Sequence, residues 1–270
     1  MISIIIPTKN EEQNILNTVS HLQKLRQDRY CEIILVDAMS NDKTVQLAKP
    51  YVDKIICSIP NRGIQQNKGA AIAEGEMVLF LHADTHIDAQ QIYMINEIVD
   101  DNSLNLNITN YPAFSFKRRN YCGNKWIKAA SFYPDRVIRL YDKNITGYTS
   151  STSHAFVDSA CLNIDCHITH YTYDSYTDWI NKINFYSSQS AKTMHINGVK
   201  RSSIRPITHS LFSFFKKMFI KGGLFQGIDG FTVALTTMFN TYMKYIKLNE
   251  LYDNKQDPSK HFPKKESNDE

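Results

Sequence analysis

Four short apolar segments, separated by stretches of helical periodicity, most restrict how this chain of 270 residues can fold. The segments cover residues 2–6, 33–36, 54–57 and 77–81. A continuous apolar run such as 77–81 is typical of a strand that is buried on both faces. We interpret 2–6 as a core strand, 33–36 as a second buried strand and 54–57 as a third, short strand. Strands that alternate with helices are joined by right-handed crossovers. We therefore predict an α/β, Rossmann-like fold whose mostly parallel sheet is flanked by helices.

The residues that follow three of these segments are polar. Thr8 and Glu11 follow the first segment, Asp37 the second and Asp84 the fourth. Open α/β sheets bind ligands where the carboxyl ends of their parallel strands meet, so we expect these side chains to share one crevice. Asp84 is a hard oxygen ligand that suits Mg²⁺ or Mn²⁺ on a diphosphate. The alternative is that Asp84 caps a helix that starts near Asp88.

Neither glycine-rich phosphate loop, GxGxxG or GxxxxGK[ST], occurs in the chain. The backbone cradle that these loops give to phosphates is therefore missing. A diphosphate in the predicted crevice would have to be held by a metal ion and by side chains.

Four segments resemble the N-terminal signatures of family 2 glycosyltransferases of the GT-A fold. They are IIIPTKNEE at 4–12, LVDAMSNDKT at 35–44, GIQQN at 63–67 and FLHADT at 80–85. The resemblance implies a nucleotide-sugar donor, whose base would hydrogen-bond Asp37. The donor-binding residues that it implies are Pro7, Thr8, Glu11, Asp37, Gln65, Asn67 and Asp84. Asp84 matches the last Asp of the family's DxD metal motif and His82 stands at its first position, so the expected cofactor is Mg²⁺ or Mn²⁺ at Asp84 and His82.

Later segments are similar to the lipopolysaccharide-core β-1,4-glucosyltransferase branch of the same family. They cover residues 117–126, 133–141, 170–173, 178–187, 221–231 and 244–251. The resemblance implies an inverting transfer of a sugar, glucose in that branch, from a UDP-sugar such as UDP-glucose. The implied acceptor is a lipid-linked saccharide such as the lipopolysaccharide inner core. The net charge of +4 is too small to indicate a nucleic-acid partner.

An inverting transfer needs a general base for the acceptor hydroxyl. The branch usually has a His-Glu pair after its Pro-Asp-Arg segment, and the counterpart here is His154-Ala155. Asp135 is our first candidate for the base and Asp158 the second. An ion pair between Asp135 and Arg136 or Arg139 is the competing interpretation. His154 is open to three interpretations: metal ligand, base or structural histidine.

Five basic residues lie near the predicted acceptor side. They are Lys117, Arg118, Arg119, Arg136 and Arg139. An inner core is rich in phosphates and carboxylates, which arginine binds well, so we predict that Arg118, Arg119, Arg136 and Arg139 bind the acceptor. The alternative is a solvated basic loop.

The five cysteines form no CxxC pair, and their odd number indicates reduced thiols in the cytoplasm. Cys161, Cys166, His167 and His170 lie close together, but their spacing fits no common zinc site. We therefore interpret the two cysteines of this group as buried strand residues.

The last third of the chain departs from the α/β pattern. Leu211, Phe214, Phe215, Met218 and Phe219 fall on one helical face, with Lys216, Lys217 and Lys221 towards the other. A second apolar stripe runs from Phe231 to Ile246. A basic amphipathic helix beside an aromatic helix predicts an interfacial membrane anchor. The alternative is that these helices pack on the catalytic core.

The predicted organisation has four parts: a nucleotide-sugar half at 1–105, an acceptor half at 106–200, an amphipathic helical membrane-associating region at 201–252 and a disordered tail at 253–270. No apolar run reaches the roughly 18 residues that a membrane span needs. The predicted location is therefore peripheral, on the inner, cytoplasmic face of the cytoplasmic membrane.

Two alternative functions remain. The first is a family 2 transferase with another donor or a lipid-carrier acceptor. The second is a non-catalytic membrane-bound homologue, which His82 and Ala155 favour.

Overall fold

The computed structural model describes residues 1–88, 90–93, 95, 112–149 and 157–256. It divides the chain into two compact units, Met1–Asp174 and Ser175–Glu270. The roles that the sequence suggested for 1–105, 106–200 and 201–252 stay predictions.

The N-terminal unit begins with the predicted alternation of strands and helices. Its elements are β1 (Ile2–Thr8), α1 (Ile15–His21), α2 (Gln23–Gln27), β2 (Cys31–Asp37), α3 (Thr44–Ala48), β3 (Lys54–Cys57), α4 (Arg62–Ile72), β4 (Met77–Phe80) and β5 (Thr85–Ile87). Four later strands follow: β6 (Ala113–Cys122), β7 (Lys125–Trp126), β8 (Asp135–Asp142) and β9 (Cys161–Tyr173).

These strands form one sheet in the order β3-β2-β1-β4-β8-β6-β9-β5, with β7 on β6. The first four strands are parallel, which confirms the α/β class predicted from the apolar segments. Beyond β4 the pairing is mixed: β8 is antiparallel to β4 and β6, whereas β9 is parallel to β6. Strands β8, β6, β9 and β5 thus continue the sheet beyond β4, on the side where Asp84 follows that strand.

Both faces of β1, β2 and β4 are buried, whereas β3, at the edge of the sheet, is only partly buried. All seven residues of β2 are buried, and successive side chains enter opposite clusters. Ile33 and Leu35 pack into one cluster, whereas Ile34 and Val36 pack into the other. Because side chains alternate across a strand, a strand that is buried on both faces needs an unbroken run of apolar residues.

The interpretation of Asp84 as a helix cap is wrong. Strand β5 follows Asp84 directly and separates it from the described helical residues 90–93. Asp88 itself accepts a hydrogen bond from the backbone N of Gln90, at 3.0 Å. The carboxylate of Asp84 is thus left for another role.

The C-terminal unit is helical. It contains α5 (Tyr176–Ile196), α6 (Arg205–Phe215), a π-helical turn (Lys216–Ile220), a 3₁₀ turn (Gly223–Gln226) and α7 (Gly227–Gln256). Helix α7 packs against both α5 and α6. It includes residues 253–256, which we had assigned to the tail, and residues 257–270 lie outside the described part. Among the described helices, none is both long enough and apolar enough to span a bilayer.

Candidate active site

The carboxyl ends of β1 and β2 lie side by side, as predicted, because Thr8 pairs with Asp37 in the parallel register. The hydroxyl of Thr8 donates to Oδ1 of Asp37 at 2.9 Å. The backbone N and the hydroxyl of Ser40 also donate to Asp37, at 2.8 and 2.6 Å. Both predicted donor residues are buried and held in one hydrogen-bonded group.

Helix α4 supplies the next two predicted donor residues. Nε2 of Gln65 donates to the carbonyl oxygens of Thr8 and Val36, at 3.1 and 2.9 Å. The carboxamide of Asn67 donates to the carbonyl of Tyr148 at 2.8 Å and accepts from its backbone N at 3.1 Å. Both side chains therefore hold the backbone on either side of the crevice. A donor-binding role for them stays a prediction.

The remaining donor candidates lie on β1 and just after it. Pro7 is opposite Val36 in the strand register. The carboxylate of Glu11 accepts a hydrogen bond from Nδ2 of Asn14 at 3.1 Å, and its backbone N donates to the hydroxyl of Thr44 at 2.7 Å. Glu11 thereby anchors the loop after β1 to the starts of α1 and α3.

His82 and Asp84 follow β4, and the structure adds His170 from β9. The three residues offer ligand atoms that all lie within 4.8 Å of one another. His170 arrives there because β5 and β9 pair antiparallel, with Thr85 opposite His170. Nε2 of His170 lies 3.4 Å from Oδ2 of Asp84. The sequence alone assigns His170 to no site, since nothing local links it to Asp84.

Asn120 on β6 determines which nitrogen of His170 carries the proton. Nδ2 of Asn120 donates to the carbonyl of Phe132 at 3.1 Å and to Oδ2 of Asp135 at 3.0 Å. Its Oδ1, which can only accept, therefore faces Nδ1 of His170 at 3.0 Å. We assign the proton of the neutral imidazole to Nδ1, with Thr172 also against this atom at 2.7 Å. Nε2 then points a lone pair at the carboxylate of Asp84.

Burial sets the protonation states of these groups. It holds the pKa of His82 well below its ordinary value, and the charge of Arg139 adds to the effect. Burial also lowers the pKa of His170, although Asp84 pulls it upward. For Asp84, burial acts to raise the pKa, but nearby positive charge, including that of Arg62, holds it below the usual range. At neutral pH the cluster therefore consists of two neutral imidazoles and one carboxylate.

This donor set fits a divalent cation. Two acceptor atoms that face each other at 3.4 Å, Nε2 of His170 and Oδ2 of Asp84, repel unless a cation lies between them. Neighbouring ligands about 2.1 Å from an octahedral Mg²⁺ lie about 3 Å apart, close to this spacing. The hydrogen bond from Nδ1 of His170 to Asn120 is the kind of outer contact that orients a metal-binding histidine.

Asp135 is in an ion pair, but not with the partners we considered. Nε and Nη2 of Arg118 lie 2.8 and 2.7 Å from Oδ2 of Asp135, so the partner is Arg118 and neither Arg136 nor Arg139. Asn120 binds the same oxygen. A continuous chain of contacts thus runs from Asp84 through His170 and Asn120 to Asp135.

The five basic residues lie on two paired strands, so the interpretation as a solvated loop is wrong. Lys117 of β6 is opposite Arg136 of β8 in the antiparallel register. Lys117 lies 2.5 Å from Asp165, Arg136 donates to the carbonyl of Ile164 at 3.3 Å, and Arg119 lies over the ring of Trp126 at 4.9 Å. Arg139 differs from the others because it is buried.

Of the two reserve candidates for the base, only Asp158 lies in the described part of the chain. Asp158 is exposed, and no hydrogen bond in the described part of the chain joins it to the cluster. His154 and Ala155 lie outside the described residues. His170 and Asn120 are the site residues that sequence reasoning missed. The one available signal was the alternation in β9, which puts His170 on the same face as buried Cys166 and Ile168.

The model of the family described as "Glycosyl transferase family 2" matches residues 3–164. Over 265 residues the chain is 29% identical to an uncharacterized glycosyltransferase of Rickettsia typhi, covering 93% of this chain and 87% of that protein. A shorter match, 29% identical over 109 residues, covers 37% of this chain and 19% of a poly(ribitol-phosphate) β-N-acetylglucosaminyltransferase of Staphylococcus aureus.

Among solved structures, a mannosyltransferase from Pyrobaculum calidifontis, in complex with GDP-Man and Mn²⁺, superposes with a TM-score of 0.51. The alignment covers 93% of this chain and 87% of that one at 13% identity, which is evidence for the fold alone. The family match goes further: the chain belongs to glycosyl transferase family 2, with the GT-A fold, and is a glycosyltransferase.

Proposed function

We propose that this enzyme transfers glucose, with inversion, from UDP-glucose or a like UDP-sugar to a lipid-linked saccharide such as the lipopolysaccharide inner core. The observation that carries the proposed chemistry is the contact chain from Asp84 through His170 and Asn120 to Asp135. It joins the pair of residues that we propose to bind a cation to the carboxylate of Asp135, the first residue of β8. The choice of glucose and of the acceptor is supported by the resemblance of residues 117–251 to the lipopolysaccharide-core branch.

In our proposal Asp84 and His170 hold a divalent cation, with His82 beside them. When bound there, Mg²⁺ or Mn²⁺ supplies positive charge to the departing diphosphate. Asn120 keeps His170 in the tautomer that presents Nε2. The buried Thr8–Asp37 pair would receive the nucleoside, because it closes the end of the crevice between β1 and β2.

Asp135 is our proposed general base. Nε and Nη2 of Arg118 and Nδ2 of Asn120 all bind Oδ2, whereas no described residue donates a hydrogen bond to Oδ1. Oδ1 would take the proton of the acceptor hydroxyl as its oxygen attacks the anomeric carbon, and the nucleoside diphosphate would leave from the opposite face. About a quarter of the side chain is exposed, enough for an acceptor to approach.

The basic strand pair is our proposed acceptor surface. Arg118 shares a face of the sheet with Asp135, whereas Lys117, Arg119 and Arg136 belong to the other face, because side chains alternate along a strand. In our proposal an anionic group of the saccharide that binds beside Arg118 would bring one hydroxyl towards Asp135, because Arg118 is opposite Asp135 in the register, and the other three arginine and lysine side chains would bind more distant anionic groups. An acceptor without anionic groups would gain little from this surface.

The C-terminal unit is our proposed membrane contact. Its hairpin tip, defined as residues 219–228, exposes Phe219, Ile220, Leu224, Phe225 and Ile228, each more than half exposed. Lys216 and Lys221 are exposed next to them. Apolar side chains flanked by lysines are suited to an anionic bilayer surface. We therefore propose a peripheral location on the inner face of the cytoplasmic membrane.

Thermal unfolding with UDP, GDP and CDP, each with and without Mn²⁺, tests the donor and the metal. At about a hundred times its Kd, a ligand stabilises the folded state by about 2.7 kcal/mol. We expect that shift with UDP and Mn²⁺, and we expect Asp84→Ala to lose the part that depends on Mn²⁺. Stabilisation by GDP instead of UDP would refute the choice of donor, and an unchanged Mn²⁺ effect in Asp84→Ala would refute the metal site.

Asp135→Asn separates the base from the donor site. Since Asn keeps the shape of the side chain, nucleotide stabilisation should be unchanged. Transfer of glucose to a phosphorylated lipid-linked core saccharide should fall at least about 100-fold, because a positioned base contributes that much or more. A transfer rate equal to that of the unmodified enzyme would exclude Asp135 as the base and would leave Asp158 and His154 as the candidates.

A further inference from the structure

Arg139 is a buried cation among neutral neighbours. Its side chain on β8 is 9% exposed. Nη2 lies 3.1 Å from Nε2 of His82, and the guanidinium is 5.0 Å from the ring centre of Phe80. Tyr148 is its third neighbour. Within the described residues, no carboxylate forms an ion pair with Arg139.

An unpaired buried charge destabilises a folded protein, because the charge has lost its water and gained no partner. Burial lowers the pKa of Arg139, yet a guanidinium stays protonated at physiological pH. Arg62, which begins α4, adds a second positive charge that acts on both Arg139 and His82. Apart from Asp84, the groups around Arg139 therefore favour the binding of an anion, and the described part of the chain does not supply that anion.

The contact with Arg139 also restricts His82. A guanidinium can only donate, so Nε2 of His82 must accept, and the proton of the neutral imidazole is on Nδ1. No lone pair of His82 is then left for a metal ion. Binding a cation through His82 and holding Arg139 through His82 are mutually exclusive.

We infer that Arg139 binds the diphosphate of the donor, and that His82 is a positioning residue that orients Arg139 and not a ligand of the metal. This inference rests on the proposed donor site and adds to it a cationic residue from β8. It also explains the histidine at the first position of the metal motif. An aspartate there would pair with Arg139 and cancel the charge that the diphosphate needs.

Binding of inorganic pyrophosphate and of UDP, measured by calorimetry in EDTA without divalent cations, tests the role of Arg139. We expect Arg139→Met to weaken both at least about tenfold, because charge-assisted hydrogen bonds to phosphate are lost. In the ligand-free state the same variant should unfold at the same or a higher temperature than the unmodified protein. A purely structural arginine would give a lower unfolding temperature and unchanged binding.

Arg26→Met is the matched control, since it removes an arginine that is paired with Asp53 at 2.7 Å. It should leave pyrophosphate binding unchanged. Equal pyrophosphate binding by Arg139→Met and the unmodified protein would overturn the inference, as would failure of the unmodified protein to bind pyrophosphate. If UDP with Mn²⁺ still stabilises Arg139→Met fully, the inference fails while the donor site stands. If no nucleoside diphosphate binds but pyrophosphate does, through Arg139, the donor proposal fails instead.

Two variants of His82 test its positioning role. His82→Gln retains an acceptor for Arg139 and should keep pyrophosphate binding, whereas His82→Leu should lose it. Mn²⁺ affinity, measured by electron paramagnetic resonance without nucleotide, should be equal in both variants and in the unmodified protein. A large loss of Mn²⁺ affinity in both would show that His82 is a metal ligand and would overturn this part.

Discussion

A single carboxamide, that of Asn120, decides much of the chemistry of the site. It fixes the tautomer of His170 on one side and binds Asp135 on the other. Its neighbours in sequence are basic and aromatic, and an asparagine among them carries no recognisable signal. The identity of Asp84 could be predicted because its role depends on a strand end. The role of Asn120 depends on partners from two distant segments of the chain, at 132–135 and 170–172.

Glu32 is a buried residue whose charge should stabilise the fold. Its carboxylate accepts from Ser3 Oγ and the backbone N of Glu74, both at 2.5 Å, and from Lys54 at 3.0 Å. Burial acts to raise the pKa of Glu32, but these hydrogen bonds lower it below the ordinary value. A lowered pKa stabilises the fold above the unfolded pKa of about 4.3, and this stabilisation is lost as pH falls through the folded pKa.

We therefore expect Glu32→Gln to lower the free energy of unfolding at pH 7 by about 1–3 kcal/mol, as for a charged hydrogen-bond partner. The deficit, measured by urea unfolding, should shrink as pH is lowered from about 5 towards 3. Glu74→Gln is the control, because that side chain is 67% exposed and should change little. A deficit independent of pH would mean that ionisation of Glu32 does not contribute.

Among the elements, helix α4 lies unusually close to the sheet. A Cβ atom on Gly69 would be 2.6 Å from Cγ2 of Ile5 in β1. The helix can approach the sheet this closely only where it lacks a side chain. This contact brings Gln65 against the ends of β1 and β2, so the close approach is a requirement of the site as well as of the core.

Gly69→Ala should thus destabilise the protein by about 1–3 kcal/mol through overpacking. Helix propensity acts in the opposite direction and favours alanine by about 1 kcal/mol. Ala71→Gly, at an exposed position of the same helix, measures that propensity without the clash. Chemical unfolding of the two variants should show both to be destabilised, and a stabilised Gly69→Ala would contradict the close contact.

For the molecule as a whole, the proposed membrane contact separates the catalytic and the binding tasks between the two units. We expect the protein to float with vesicles that contain anionic lipid. Phe225→Ser with Ile228→Ser should weaken this binding at least about tenfold, since each removes a large exposed apolar side chain. Added salt should weaken binding of the unmodified protein, because the lysines act through screened charge.

Ile196→Ser provides the control, because Ile196 is 82% exposed at the end of α5 and outside the tip. It should bind vesicles as the unmodified protein does. Equal loss of vesicle binding in the tip variant and in Ile196→Ser would indicate general hydrophobic adhesion, and no loss in either would exclude the tip as the membrane contact.

The predicted apolar face of 211–219 is not uniform in the structure, since Met218 is buried while Phe215 and Phe219 are exposed.

Local pattern was enough to predict the parallel half of the sheet, its strand ends and the positions of Asp37 and Asp84. A strand that is buried on both faces has a continuous apolar run, and a helical crossover has helical periodicity beside it. Both patterns lie within a few residues of each strand, so they can be recognised in the sequence. The mixed pairing of β5, β6, β8 and β9 has no local sequence pattern, because the register between distant strands is set by the packing of the complete sheet. Only the tertiary structure could therefore bring His170 to Asp84, Arg118 to Asp135 and the buried charge of Arg139 to His82.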